Sequence, residues 1–127
     1  IKKAKNIPII YADQNKLRQV IINLIENSKD ALEEIKNPII KIFIRKKIGE
    51  VELIIEDNGI GIPNEIIERI FEPYVTSKKA GTGLGLAIVH KIIEEHNGKI
   101  KIERINTSGT RVIIKLKSGK NKSYGKD

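Results

Sequence analysis

The stretch LRQVIINLIENSKDALEEIKNPIIKIFIRKKIGEVELIIED, residues 17–57, changes its hydrophobic period once, and that change sets the fold class. Leu17, Val20, Ile21, Leu24, Ile25, Ala31, Leu32 and Ile35 recur at helical steps, which lines them along one stripe. Asp13 precedes the stripe as a helix cap, and Asn37-Pro38 stops it, because the residue before a proline is pushed out of the α region. From Ile40 the step falls to two. Ile40, Ile42 and Ile44 alternate with Lys41, Phe43 and Arg45; beyond a turn at Gly49, Val51, Leu53 and Ile55 alternate with Glu52 and Glu56. A long helix therefore feeds a two-stranded hairpin.

Upstream, the short apolar segment Ile7 to Tyr11 reads as an edge strand. Downstream, a glycine-rich turn from Asp57 to Pro63 leads into a short helix over Asn64 to Ile70, which breaks at Phe71-Glu72-Pro73-Tyr74. Val75 to Gly83 has no period and is expected to be mobile. A second helix is expected from about Leu84 to His96, burying Leu84, Ala87, Ile88, Val89, Ile92 and Ile93, with Asn97-Gly98 ending it. Ile100 and Ile102, then Val112, Ile114 and Leu116, make two more strands about a turn at Ser108-Gly109. Helices on one face of a mixed, mostly antiparallel sheet give an α+β, two-layer sandwich. Residues 1–117 form the expected domain, and 118–127 a polar, disordered tail.

The 127 residues, 39% of them hydrophobic, suffice for one core. No apolar run is long enough to cross a bilayer, and Ile1-Lys2-Lys3-Ala4-Lys5 lacks the hydrophobic stretch of a secretory signal, so a soluble, cytoplasmic domain is expected. The chain opens on Ile1 and holds no Met, which points to a piece of a longer protein whose other parts decide any membrane anchoring. Cysteine is absent and only two histidines are present, against disulfides, thiolate sites and a zinc cluster. The net charge of +8 would suit an anionic partner, but lysines are spread along the chain and aromatics are 4%, too few for a base-stacking platform. A solvated basic surface is the expected reading, with no nucleic acid and no direct membrane contact.

Three stretches carry chemistry. Asn23 and Asn27 project from neighbouring turns of one helix face, at the border of the apolar stripe, where their amide oxygens suit Mg²⁺ or its waters. Taken alone they also read as border polar residues. Asp57 continues the inward parity of Val51, Leu53 and Ile55, and Gly59 and Gly61 let the backbone turn closely about a ligand, so its carboxylate could accept from an exocyclic amine such as that of adenine. A plain Asp57-Asn58-Gly59 turn is the alternative. Gly81-Thr82-Gly83-Leu84-Gly85-Leu86 opens directly into a helix, whose exposed amides and dipole attract phosphate, with Lys78 and Lys79 just before it. It lacks the Gly-Lys-Ser/Thr ending of a P-loop.

In order, Asn23-Leu-Ile-Glu-Asn27, Asp57-Asn-Gly-Ile-Gly61, Phe71-Glu-Pro-Tyr74, Gly81-Thr-Gly-Leu-Gly-Leu86 and Gly109-Thr110 resemble the N, G1, F, G2 and G3 boxes of the sensor histidine kinase catalytic domain, a Bergerat-type ATP-binding fold shared with gyrase, Hsp90 and MutL. The resemblance runs from about Asp13 to Leu116. It implies ATP and Mg²⁺ as cofactors, with Asn27 and Asn23 at the metal and phosphates and Asp57 at adenine, helped by Gly59, Gly61 and Thr110. Ile62 and Leu86 become walls of the adenine pocket. Phe71 to Gly83 becomes a lid over the nucleotide, and Gly81, Thr82, Gly83, Leu84 and Gly85 its phosphate side. The short lid, Thr76-Ser77-Lys78, looks like the nitrogen-regulation type, in which Lys78 would contact phosphate. Gyrase and Hsp90 carry a water-activating Glu where Asn23 stands, so the resemblance favours ATP kept for transfer. Neither His90 nor His96 matches the phosphoacceptor motif. The acceptor is therefore expected on a histidine-bearing dimerisation domain of the same protein, with a response regulator downstream, a homodimeric parent and a monomeric isolated domain. Rival expectations are an anti-sigma-factor-like serine kinase of the same fold and a non-enzymatic nucleic-acid-binding module.

Overall fold

The structure, a computed structural model, describes residues 10–76, 83–105 and 108–119. α1 (Gln14–Ala31) starts where Asp13 accepts a hydrogen bond from the Lys16 amide at 3.1 Å, satisfying a donor that a helix start leaves free. Val20, Leu24 and Ser28, four residues apart, are buried along it. The stripe predicted the helix to run on to Ile35, but it ends at Ala31. The Ala31 carbonyl, which Ile35 would need, instead accepts from the Ile60 amide at 3.2 Å, and Ile35 bonds to Leu32 at 3.0 Å in a tighter turn.

β1 (Ile40–Lys47) and β2 (Glu50–Asp57) form the expected hairpin, turning at Gly49 with φ 74°. α2 (Asn64–Ile67) is shorter than predicted and continues as turns to Phe71. α3 (Gly85–Glu95) buries Val89, Ile92 and Ile93, whereas Ile88, expected inside, is 38% exposed on its flank. β3 (Lys99–Arg104) and β4 (Thr110–Lys117) complete a sheet of order β1-β2-β4-β3 whose described pairings are all antiparallel. Ile10 and Tyr11 belong to no strand, and the rest of the expected edge strand lies outside the described residues. Two residues on, the Asp13 amide donates to His96 Nε2 at 3.0 Å rather than to a strand partner. Ser118, expected in the tail, donates to Gly49 O at 3.1 Å; residues 120–127 lie outside the described set.

α1 and α3 pack on each other and on one face of the sheet, the two layers expected. Their shared core is Val20, Leu24, Ile55, Val89, Ile92, Ile93, Val112 and Ile114. Each fully buried aliphatic side chain contributes about 1.5–3 kcal/mol. The helices pack on β2 and β3, so Ile42 and Ile44 on edge strand β1 stay 51% and 68% exposed despite their parity. No helix among the described residues is long and apolar enough to cross a membrane.

The opposite face carries charge ladders that alternation alone did not reveal. Glu52, expected to face water, is 2% exposed beneath Arg45 (3.2 Å), Lys47 (3.4 Å) and Lys115 (3.7 Å). Burial opposes its charge, but the hydrogen bond and charge of Lys47, with Arg45 and Lys115, outweigh it and hold the carboxyl below the ordinary range. Beyond the row of Ile54 and Ile113 on the same face, Arg111 bridges Glu56 and Glu103, and its hydrogen bond lowers the Glu103 carboxyl against the opposing effect of burial.

Candidate functional site

Asp57 closes β2 with its side chain on the helix side and 7% of its surface exposed; its register partner is Thr110, the first residue of β4, 8% exposed. The Gly59 amide donates to Asp57 Oδ1 at 2.9 Å, an Asx turn that fixes the carboxylate. Two glycines permit this turn. A Cβ on Gly59 would lie 2.6 Å from the Ala31 carbonyl oxygen, and one on Gly109, at φ 113°, only 2.0 Å from the Asp57 carbonyl oxygen. The β2 turn is thus wedged between the end of α1 and the β3–β4 turn.

α1 forms a second wall with Leu24, Asn27, Ser28 and Ala31, and α3 a third with Gly85 and Leu86. Among the described residues no side chain caps α3, whose N-cap is Leu84, so its first-turn amides lie at the helix start, the positive end of its dipole. Before it, Gly83 (φ 74°) and Tyr74 (φ 70°) are joined by the Tyr74 amide to Gly83 carbonyl bond of 3.0 Å, which ties together the two ends of the intervening segment. A Cβ on Gly83 would come within 2.4 Å of the Tyr74 carbonyl carbon. Phe71 stacks on His90 of α3, ring centroids 4.8 Å apart, and His90 Nδ1 is 3.2 Å from Glu94 Oε1.

These walls enclose a cavity of about 710 Å³, within the usual size of a small-ligand pocket. Of the residues singled out in the sequence, Asn27, Asp57, Gly61, Ile62, Thr76, Gly83, Gly85, Leu86 and Thr110 line it. Gly59 sits behind the wall, Leu84 is the residue before α3, and Asn23 is half-buried outside the lining. Ser77, Lys78, Gly81 and Thr82 fall outside the described residues. Sequence reasoning missed Asp30 and Glu33 on the α1 side and the apolar Ile60, Ile70, Val75, Ile102 and Val112. Asp30, three residues past Asn27 and so on a neighbouring helical position, was the readable signal. Among the described residues no Lys or Arg lines the cavity; its charged groups are Asp30, Glu33 and Asp57. Amide and carboxylate oxygens beside a helix N-terminus fit a hard divalent cation and phosphates together.

Residues 12–120 match the family described as histidine kinase-, DNA gyrase B-, and HSP90-like ATPase. The sensor histidine kinase ZraS of Escherichia coli O157:H7 is 37% identical over 110 residues, covering 87% of this chain but only 24% of that kinase. Among solved structures, the nucleotide-free catalytic domain of histidine kinase ThkA is 38% identical with a TM-score of 0.75, covering 85% of this chain and 70% of that one. Full-length ShkA in complex with AMPPNP is 25% identical with a TM-score of 0.72, covering 90% of this chain and 24% of that one. With its fold, its box order and nearly its whole described length accounted for, the chain belongs to the histidine kinase-, DNA gyrase B-, and HSP90-like ATPase family and is homologous to the catalytic domains of sensor histidine kinases.

Proposed function

We propose that this domain binds Mg-ATP and transfers its γ-phosphoryl group to a histidine nitrogen on a separate dimerisation domain of the same protein. The observation that carries the reading is the single cavity into which Asn27, Asp57, Thr110 and the start of α3 converge from four distant stretches. The inward carboxylate of Asp57 accepts from the adenine amine, and Thr110 stands opposite it. Ile62 and Leu86 flank the base, while the first-turn amides of α3 hold phosphate oxygens. Asn27, with Asp30 beside it on α1, holds Mg²⁺, which supplies neutralisation of phosphate charge when bound. Asn23, set back from the cavity, is left to support that helix face. Lys78 would add a phosphate contact from the lid.

Positioning is the main contribution of these residues. The acceptor imidazole nitrogen attacks the γ-phosphorus, the bond to the β–γ bridging oxygen breaks, ADP departs, and the imidazole loses its ring proton. Four residues before Asn27, Asn23 offers an amide with no basicity, so no side chain there can deprotonate water, which favours transfer over hydrolysis. The domain works in the cytoplasm, whether or not the parent carries membrane helices, within a homodimeric sensor that passes phosphate to a response regulator.

The test combines titration of a fluorescent ATP analogue, with and without Mg²⁺, and radiolabel transfer to an added histidine-bearing helical domain. Mg²⁺-dependent binding, slow intrinsic turnover and an acid-labile phosphoprotein are expected. An acid-stable phosphoserine product would indicate the serine-kinase reading. Steeply salt-dependent DNA binding without nucleotide binding would overturn the enzyme altogether.

A further inference from the structure

The peptide that joins Gly59 to Ile60 is held from both sides. Its N–H, on Ile60, donates to Ala31 O at the end of α1 (3.2 Å), and its C=O, on Gly59, accepts from the Ser108 hydroxyl of the β3–β4 turn (2.6 Å). One peptide earlier, the buried Gly59 N–H engages Asp57 Oδ1 at 2.9 Å. Ser108 itself is not among the residues that line the cavity. Among the described residues, its hydroxyl is linked to the site by its hydrogen bond to the backbone of Gly59.

We infer that Ser108 is a positioning residue for purine selection, holding the Gly59 peptide so that the Asp57 carboxylate is oriented toward the exocyclic amine of adenine. The inference rests on the proposed role of Asp57 as the adenine contact. Glycine has the softest backbone of any residue, so without a fastener the peptides on either side of Gly59 can rotate. Rotation would swing the amide away from Oδ1 and let the carboxylate turn with it. A firmly aimed carboxylate accepts from the amine of adenine and repels the carbonyl oxygen that guanine presents in its place. A loosened one rejects guanine less. Selectivity of this kind depends on leaving the wrong ligand's polar atom unpaired or opposed, which needs a fixed partner. The close seating of Gly109 against the Asp57 carbonyl keeps Ser108 within reach, so the fastener is built into the same turn pair.

The experiment measures affinities of ribose-labelled ATP and GTP analogues, together with thermal denaturation, for the parent chain and for Ser108→Ala, Ser108→Val, Ser108→Thr and Asp57→Asn. Ser108→Ala and Ser108→Val should weaken ATP binding by roughly 3- to 10-fold, the worth of one net hydrogen bond. GTP binding should change less, so the preference narrows. Ser108→Thr, which restores the hydroxyl, should keep the parent preference. Thr and Val are near-isosteric, so their comparison stands even where the alanine variant unfolds. Equal losses for both nucleotides, or a change in melting temperature alone, would overturn the role of Ser108. If Asp57→Asn collapses the preference while the valine variant keeps it, only the Ser108 inference falls. If Asp57→Asn leaves the preference intact, the adenine contact itself is refuted.

Discussion

Gly85→Ala should make the domain more stable and a poorer nucleotide binder at once. Gly85 is the first residue of α3, its φ is not positive, and a Cβ built on it meets no atom within 4 Å. Alanine in a helix is favoured over glycine by about 0.5–1 kcal/mol, through backbone entropy and lost solvent exposure of the main chain. For a domain of this size that is a rise in melting temperature of about 2–5 °C. The new methyl, however, adds bulk at a residue that lines the cavity, where the proposed function places phosphate oxygens against the first-turn amides. Losing one charge-assisted hydrogen bond costs about 1.5–3 kcal/mol, or roughly 10- to 150-fold in affinity. Gly83→Ala is the contrast. There φ is 74° and the methyl would meet Tyr74 backbone at 2.4 Å, so stability should fall by at least about 1–2 kcal/mol. Thermal denaturation without ligand, paired with titration of a fluorescent ATP analogue, separates the two effects. A stabilised Gly85→Ala chain that binds the analogue as tightly as the parent would refute the placement of phosphates at the start of α3.

Acid should weaken the fold through the outer face of the sheet. Glu52 and Glu103 both titrate below the ordinary value of 4.5 in the folded chain, so the stability they contribute is complete above pH 4.5 and is lost as pH falls through their folded values. Urea denaturation between pH 7 and pH 3 should show this decline, and Glu52→Gln should both lower stability near neutrality and flatten the slope; an unchanged slope would remove Glu52 from the account. His96→Ala should cost about 1–3 kcal/mol, because the Asp13 amide loses its acceptor and the Ile92 carbonyl its ring partner. Nucleotide affinity should stay within twofold, roughly, since His96 closes the end of α3 remote from Gly85. A large affinity loss on calorimetric titration would show instead that the two ends of α3 are coupled.

Much of the lining of the candidate site was legible because its residues are tied to period and punctuation. Asp57 was placed inward by two-residue parity with Ile55, and Thr110 by parity with Val112, and both are buried on the helix side of the sheet. The glycine run announced a helix start, and Leu84, the residue before α3, offers it no side-chain cap. Asn23 was not legible in the same way: four-residue spacing puts it on a face with Asn27, but only the approach of the β2 turn to Ala31 decides how far along α1 the cavity reaches. For the same reason Asp30 and Glu33 went unassigned, and the helix was drawn four residues too long. Glu52 misled in the other direction, because alternation gives the face of a strand and not what long neighbouring side chains cover.

The amino-acid sequence alone determined the two long helices and the four strands of the sheet, which side of each strand faces the helices, and the order of the motifs, since all of these follow from spacing along the chain; it did not decide the fate of Ile10 and Tyr11, which join no strand. Only the folded chain decided where α1 stops, which carboxylates share a cavity, and what holds the Asp57 turn in place. Those outcomes depend on partners tens of residues apart, such as Ala31 with Ile60 and Ser108 with Gly59, whose hydrogen bonds exist only once the sheet has brought them together.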